Sequence, residues 1–153
     1  MATEGDKERI DRELRELLEE LRVAIPGAEV LFAFLLGVAF TQRFDQVTST
    51  QRSVYFATLL LTSAAIALLI APTAYHRIHF RDRDKERLLF SATRMAIASL
   101  ALMLLAVTGV VYLVADVLYE SELAALAGGF TAAWFVWFWF GLPLTRRRNE
   151  QRR

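Results

Sequence analysis

The sequence contains no cysteine and only two histidines in 153 residues. Without cysteine, neither a disulfide nor a thiolate metal site can form. A metal site built on His76 and His79 would need a continuous helix between them and Asp82 as a third ligand. Histidines beside a charged loop are more often interfacial, so we predict no metal site.

The sequence also lacks the short motifs that accompany enzymatic chemistry. It has no G-x-S-x-G, no H-E-x-x-H and no glycine loop of the kind that cradles phosphate. It shows no internal repeat. An inverted-repeat transporter within one chain is therefore not predicted. We expect a protein that is not an enzyme, with no catalytic residues and no cofactor.

Three long intervals lack charged residues, although the chain as a whole carries 18 basic and 17 acidic side chains. The intervals are residues 53–75, 95–115 and 123–145, which contain 23, 21 and 23 residues. A helix needs about 20 mostly apolar residues to cross the hydrocarbon core of a bilayer, whereas a soluble helix would show a polar face. Each interval is therefore predicted to be a transmembrane helix.

A fourth apolar segment, residues 23–42, contains one acid, Glu29. An acidic residue at the centre of a span costs about 2.5–3.5 kcal/mol on insertion. Glu29 lies near one end of the segment, where the cost is smaller, and the strongly apolar run 30–40 offsets it. We predict that this segment is a fourth span.

Basic residues are distributed unevenly between the flanks of the spans. The N-terminal segment, the middle loop and the C-terminal tail carry five each, whereas the first loop carries two and the third loop none. Because the Lys and Arg of short loops face the cytoplasm, both termini and the middle loop are predicted to be cytoplasmic. Sixteen arginines against two lysines favour a bacterial source, which makes the bacterial plasma membrane the expected location.

The N-terminal residues 4–22 have the pattern of an amphipathic helix. Leucines and an isoleucine recur at spacings of three and four, opposite a charged face. Helices that lie on anionic membranes are usually basic, but this segment has eight acids against five bases. Contact with protein, a partner or a second copy, is favoured over the membrane surface. Pro26 and Gly27 then predict a bend where the chain enters the bilayer.

These features predict an all-α fold, a four-transmembrane-helix bundle with an N-terminal cytoplasmic amphipathic helix. The predicted segments are the cytoplasmic helix 1–22, the transmembrane domain 23–145 with spans at about 24–43, 54–75, 90–118 and 123–144, and the basic cytoplasmic tail 146–153.

Residues that prefer the membrane–water interface flank the cytoplasmic ends of two spans. They are Tyr75, His76 and Arg77 after the second span, and Trp134, Trp137 and Trp139 in the fourth. The basic loop and tail are expected to contact anionic lipids of the cytoplasmic leaflet. No nucleic-acid partner is expected beside a bilayer.

Small residues recur at every fourth position in three spans, a pattern that lets membrane helices approach closely. The three stripes are Glu29–Ala33–Gly37–Thr41, Ser63–Ala67–Ala71 and Ala124–Gly128–Ala132. They are predicted to be the packed faces of the bundle, which would direct Glu29 into protein and not into lipid.

Ionisable residues inside a span are candidates for function, with a partner to be named. If the third span begins near Leu88, Arg94 lies about 9 Å deep and can pair with Glu29 on the cytoplasmic side. If that span instead ends at Asp116, Arg94 lies at the interface. On the outer side, Asp116 can pair with Arg43 or Arg52. Such pairs either neutralise charge and set helix register, or form an ion or proton path. In the second case the path residues are Glu29, Arg94, Asp116 and Arg43.

Five sequence segments resemble an uncharacterised family of small four-helix membrane proteins of actinobacteria. The segments are residues 22–27 (RVAIPG), 31–36 (LFAFLL), 42–44 (QRF), 51–56 (QRSVYF) and 71–77 (APTAYHR). Members of that family are often labelled sodium:proton antiporter, so the resemblance implies ion transport.

Two functions are therefore weighed, and the first is slightly favoured. The first is a small secondary transporter of protons or monovalent cations that acts as a homo-oligomer, because four helices alone rarely enclose a gated path. The second is a non-transporting scaffold or accessory subunit that docks a membrane partner through its N-terminal helix. A membrane enzyme is a third class, for which no constellation of residues is present.

Overall fold

The computed structural model describes residues 4–78, 85–119, 121–143 and 145, and this part of the chain is helical apart from its turns. The elements in chain order are α1 (Glu4–Val38), a short 3-10 helix (Gln42–Gln46), α2 (Ser49–Ile78), α3 (Lys85–Leu118) and α4 (Ser121–Val136), which continues as a π-helical turn (Trp137–Gly141). The predicted all-α, four-helix fold is confirmed.

Each of the four helices contains a stretch that is long and apolar enough to cross a membrane. The stretches are Glu8–Val38, Ser49–Tyr75, Arg87–Leu118 and Ser121–Gly141. Between 11% and 28% of the most apolar part of each is buried inside the protein. A soluble bundle of this size would cover far more of its apolar surface, so these helices require a non-aqueous environment.

Helix α1 continues through Pro26 and Gly27, where the sequence predicts a bend. It runs without interruption from Glu4 to Val38 with Pro26 inside it. Proline removes one backbone hydrogen bond and crowds the preceding turn. Leu21 and Ala28, on either side of Pro26, are both buried in one cluster with Leu69 of α2 and Ala96 of α3. Because the same face stays packed across the proline, the amphipathic segment and the first span form one helix.

The observed helices differ in extent from the predicted membrane spans. Helix α1 ends at Val38, five residues before the predicted end of the first span, because Thr41 has an extended backbone and its hydroxyl group donates to the Val38 carbonyl at 2.8 Å. Helix α2 begins at Ser49 and helix α3 at Lys85, each about five residues before its predicted span. These two helices therefore extend beyond the charge-free intervals.

The four helices pack in a bundle in which α3 has the central position. Helix α3 makes its most extensive contacts with α2, then with α4, and α1 packs against both α2 and α3. Alanines with almost no exposed surface are found on all four helices; they are Ala28, Ala65, Ala92, Ala106 and Ala124. Small side chains let the backbones approach, as helices in lipid require.

Helices α2 and α3 approach each other closely at Gly109. A methyl group on Gly109 would overlap the Thr58 hydroxyl oxygen and would meet Thr58 Cβ and Cγ2 at 3.4 Å. Thr58 is buried and donates its own hydrogen bond to the Val54 carbonyl at 2.7 Å. Glycine at position 109 therefore sets the distance between the two helices that share the largest interface.

Candidate functional site

Asp116 lies at the end of the bundle that carries the α1–α2 and α3–α4 connections, termed the distal end. Its side chain is half-buried, and its Oδ2 accepts a hydrogen bond from Gln51 Nε2 at 2.8 Å. Both residues line a cleft of about 810 Å³ between the first turn of α2 and the last turns of α3. The expected ionic partners are not observed: no ion pair joins Arg52 to Asp116, and the Arg43 side chain lies outside the described part. Among the described side chains, the neutral amide of Gln51 is the hydrogen-bond partner of Asp116.

Gln51 is held in place by the start of its own helix. The Gln51 backbone N–H donates to Thr48 Oγ1 at 3.2 Å, and the Thr48 backbone N–H donates to Gln51 Oε1 at 2.9 Å. This reciprocal pair is a capping box, whose sequence signature is a Ser or Thr followed three positions later by Glu or Gln. The capping box both starts α2 at Ser49 and directs the Gln51 amide toward Asp116. The T-x-x-Q signature of this capping box is present in the sequence at residues 48–51. Charge patterning alone does not indicate it, because Gln51 is uncharged.

We expect Gln51→Glu to destabilise the protein by about 1–2 kcal/mol, because the carboxylate can still cap the helix but has no proton to donate to Asp116. In a thermal unfolding experiment in detergent this corresponds to a fall of about 2–8 °C in melting temperature. Gln46→Glu, which places the same new charge in the same cleft, is the control and should have little effect.

The double variant Gln51→Glu/Asp116→Asn exchanges donor and acceptor and is expected to recover most of the lost stability. If the double variant is less stable than either single variant, the Gln51–Asp116 hydrogen bond does not link α2 to α3.

Glu29 does not face the interior of the bundle. Its side chain is exposed, and so are Ala33, Gly37 and Thr41, the other members of its stripe. Nothing approaches within 4 Å of the position that a Cβ atom would take at Gly37. The prediction that this stripe packs within one chain is wrong, because α1 turns its Leu21, Ala28 and Leu35 face to the bundle instead.

Glu29 and Arg94 do not form the predicted pair. Arg94 is exposed, and its guanidinium lies 5.6 Å from the ring centroid of Phe90. Arg94 lines a cleft with Leu17 and Glu20 of α1, so it lies near the level of Leu21 along the bundle. Glu29 is eight residues further along α1, about 12 Å away along the axis. The difference in depth separates the two charges.

Arg94 and Asp116 instead mark the two ends of one span. They are 22 residues apart on α3, which is about 33 Å along a helix, and the hydrocarbon core of a bilayer is about 30 Å thick. The residues between them carry no charge. Both side chains therefore lie at the boundaries of the apolar layer, where a charge is tolerated.

The other two small-residue stripes have different positions in the fold. Ala124 and Gly128 of α4 are buried and Ala132 is half-buried, with Gly128 close to Tyr112 and Thr108 of α3. In α2, by contrast, Ser63 and Ala67 are exposed and Ala71 is half-buried. The prediction that this stripe packs against other helices of the same chain is therefore wrong. The buried face of α2 is offset from it around the helix, and its members are Tyr55, Thr58, Thr62, Ala65, Leu69 and Pro72.

The buried polar residues of the described interior are hydroxyl-bearing and uncharged. Thr58, Thr62 and Ser99 each donate to a carbonyl of their own helix. Thr108 Oγ1 is also buried and has no hydrogen-bond partner. Within the described part, therefore, no buried charged side chain lines a path through a single bundle.

Four of the predicted interfacial residues have side chains that the structure describes, and these lie toward the outside of the bundle. Tyr75, Trp134 and Trp137 are exposed, and Trp139 is half-buried with its ring 4.7 Å from that of Phe135. The side chains of His76 and Arg77 and the tail 146–153 lie outside the described part, as do His79 and Asp82. Among the described residues, no group of three His, Cys, Asp or Glu side chains could hold a metal ion.

Four apolar helices with largely exposed apolar faces define a multi-pass α-helical membrane protein. The chain belongs to DUF6328, a family of unknown function whose model matches residues 3–143. Among curated proteins and solved structures, none matches this chain.

Proposed function

We propose that this protein is a small secondary transporter of protons or monovalent cations that acts as a homo-oligomer, with Glu29 as the exchanging group. The observation that carries the proposal is the position of Glu29. It is exposed on α1, seven residues beyond Arg22 and so about 10 Å along the span. An ionised acid that deep in lipid is costly, and a second copy that covers this face would remove the cost.

The surface around Glu29 supports contact between copies. Ala33, Gly37 and Thr41 follow it at every fourth position and leave an open groove along the outside of α1. Small residues in such a stripe let a second helix approach closely. When two copies of α1 meet at this face in the same orientation, their Glu29 side chains are brought together.

Two carboxylates at such an interface provide a simple exchange site. They repel each other strongly where water is scarce, and a proton or monovalent cation bound between them relieves the repulsion. Since the described interior of one bundle holds no buried charge, a site between copies supports transport better than a path through a single chain. Asp116 then has a structural role, because its carboxylate is bonded to Gln51.

The proposed setting is the bacterial plasma membrane, with both termini and the middle loop in the cytoplasm. The basic residues of these segments support this orientation, and anionic lipids of the cytoplasmic leaflet are their proposed partners. The resemblance to actinobacterial proteins labelled sodium:proton antiporter supports the choice of ions. The proposed activity is not enzymatic.

The test is sodium uptake driven by a pH gradient in proteoliposomes. Wild-type protein is expected to take up sodium, and Glu29→Gln is expected to reduce uptake to that of protein-free liposomes, because an amide cannot exchange a proton. Glu122→Gln removes a carboxylate from the exposed start of α4 and should leave uptake unchanged.

No uptake by the wild type, with both gradient directions and with potassium or lithium in place of sodium, would overturn the transporter proposal. Uptake that survives Glu29→Gln would show that this carboxyl group is not the exchanging group.

A scaffold or accessory subunit is the second candidate, and the length of α1 favours it. The first 19 residues of the helix, 4–22, extend for about 28 Å before the first span, and their charged face is exposed, including Glu8, Arg12 and Glu19. Leu14 and Leu21 are buried in the chain's own fold, so a partner would meet the charged face. Cross-links in cells between this charged face and a partner protein, together with no uptake in the proteoliposome assay, would favour the scaffold function over transport.

A further inference from the structure

A second cleft, of about 1100 Å³, opens at the end of the bundle opposite to Asp116. One wall is the first part of α1, which contributes Glu13, Glu16 and Glu20, and the other is the start of α3, which contributes Arg87 and Arg94. Each wall thus presents mainly one sign of charge. The Asp116–Gln51 bond and the Glu29 stripe take no part in this cleft.

The depth of the cleft corresponds to the headgroup region of a bilayer. Arg94 lies at the boundary of the apolar layer, and charge-free residues begin immediately after it. Beside Arg94 the cleft is lined by Phe90, which is 65% exposed, and by Ile97, which is 52% exposed. The cleft therefore joins a charged region to an apolar surface that continues toward the hydrocarbon core, as a phospholipid site requires.

The balance of charges distinguishes between kinds of phospholipid. Among the described residues that line the cleft, three are basic and three are acidic. Arg9 and Glu13 of α1 are 3.7 Å apart. Glu16 and Glu20 line the cleft from α1, and Arg87 and Arg94 line it from α3, so the two signs of charge are separated across it. A headgroup with a net negative charge would be attracted by α3 but repelled by Glu16 and Glu20.

Arginine is well suited to bind the phosphate of a lipid. Its planar guanidinium group forms two parallel hydrogen bonds to phosphate oxygens. The Phe90 ring, 5.6 Å from the Arg94 guanidinium, restricts that side chain through a cation–π contact. Arg87 and Arg94 are seven residues apart, which places them on the same side of α3 with Ser91 between them.

The acidic wall matches a primary ammonium group. Such a group has three N–H donors, whereas the quaternary ammonium of a choline headgroup has none. We infer that this cleft binds phosphatidylethanolamine, with its phosphate on Arg94 and Arg87, its ammonium group on Glu16 and Glu20, and its acyl chains along Phe90 and Ile97. The site is independent of the proposed transport activity.

The inference can be tested by native mass spectrometry of the purified full-length protein with an equimolar mixture of phosphatidylethanolamine, phosphatidylglycerol and phosphatidylcholine. Wild-type protein is expected to retain phosphatidylethanolamine in preference to the other two. Loss of one charge-assisted contact corresponds to about a tenfold loss of affinity. Arg94→Gln should therefore weaken retention about tenfold, and Glu20→Gln should abolish the preference over phosphatidylcholine.

Matched controls come from the next cleft around α1, which lies at a similar depth and is lined by Arg22 and Glu19. Arg22→Gln and Glu19→Gln remove the same charges and should leave the lipid preference unchanged. Circular dichroism and gel filtration check that each variant is folded, as expected for exposed side chains.

Three results would overturn the inference. The first is equal or stronger retention of phosphatidylglycerol, which would mean that the arginines select net negative charge. The second is equal retention of all three lipids. The third is a preference that Arg94→Gln and Glu20→Gln leave intact, which would place the lipid elsewhere on the surface.

Discussion

Gly109→Ala is expected to lower the melting temperature of the detergent-solubilised protein by about 2–12 °C. The added methyl group would overlap the hydroxyl oxygen of Thr58 where α2 and α3 lie close together. Thr58 cannot easily move away, because it is buried and its hydroxyl group is bonded to the Val54 carbonyl. Overpacking of this kind costs about 1–3 kcal/mol, and each kcal/mol corresponds to about 2–4 °C in a chain of this size.

Gly129→Ala is the matched control for this prediction. Gly129 is exposed on α4, with nothing within 4 Å of its Cβ position. The melting temperature of the Gly129→Ala protein should therefore be unchanged or slightly higher than that of the wild type. The double variant Gly109→Ala/Thr58→Ala removes the overlapping oxygen and should recover stability. If Gly109→Ala melts at the wild-type temperature, α2 and α3 are not as close as the structure places them.

Gly37→Leu is expected to convert the proposed oligomer into monomers. Gly37 lies in the centre of the exposed stripe with Glu29, Ala33 and Thr41, and a leucine at this position would keep a second helix from approaching. A cost of about 1–3 kcal/mol for the interface corresponds to a loss of association of roughly 5–150-fold. Light scattering coupled to gel filtration in detergent, over a range of protein concentrations, measures the change in mass.

The control for this prediction adds the same bulk to another exposed helix face. Gly129→Leu on α4 should leave the mass of the complex unchanged, since its Cβ position is also open. A wild-type protein that is monomeric at every concentration would contradict the proposed oligomer. A Gly37→Leu protein with the wild-type mass would place the interface on another face.

The existence and order of the four spans follow directly from the sequence. Residues 53–75, 95–115 and 123–145 carry no charge, and each overlaps a helix long enough to cross a membrane. The helix ends are less predictable because they depend on individual hydrogen bonds. Helix α2 starts about five residues before the predicted second span because of the Thr48–Gln51 capping box, a local signal that hydropathy does not contain.

The candidate site was predicted less well, and its residues show why. Asp116 is predicted to pair with Arg43 or Arg52. No pair with Arg52 forms and the Arg43 side chain lies outside the described part, whereas the helix cap holds Gln51 beside Asp116. Glu29 and Arg94 share a side of the membrane in the sequence pattern. They differ by about 12 Å in depth, because Arg94 lines a cleft with Leu17 and Glu20, which precede Glu29 on α1.

The sequence by itself determined that this chain enters a bilayer four times, because the transfer of apolar side chains from water to lipid is a sum over the residues of each segment and does not depend on their neighbours. Only the tertiary structure decided which side of each helix faces protein. In lipid every face of a span is apolar, so the rotation of a helix depends on a few close fits such as Thr58 against Gly109. For that reason the stripes at Ser63 and Glu29 look like packed faces in the sequence and are exposed in the fold.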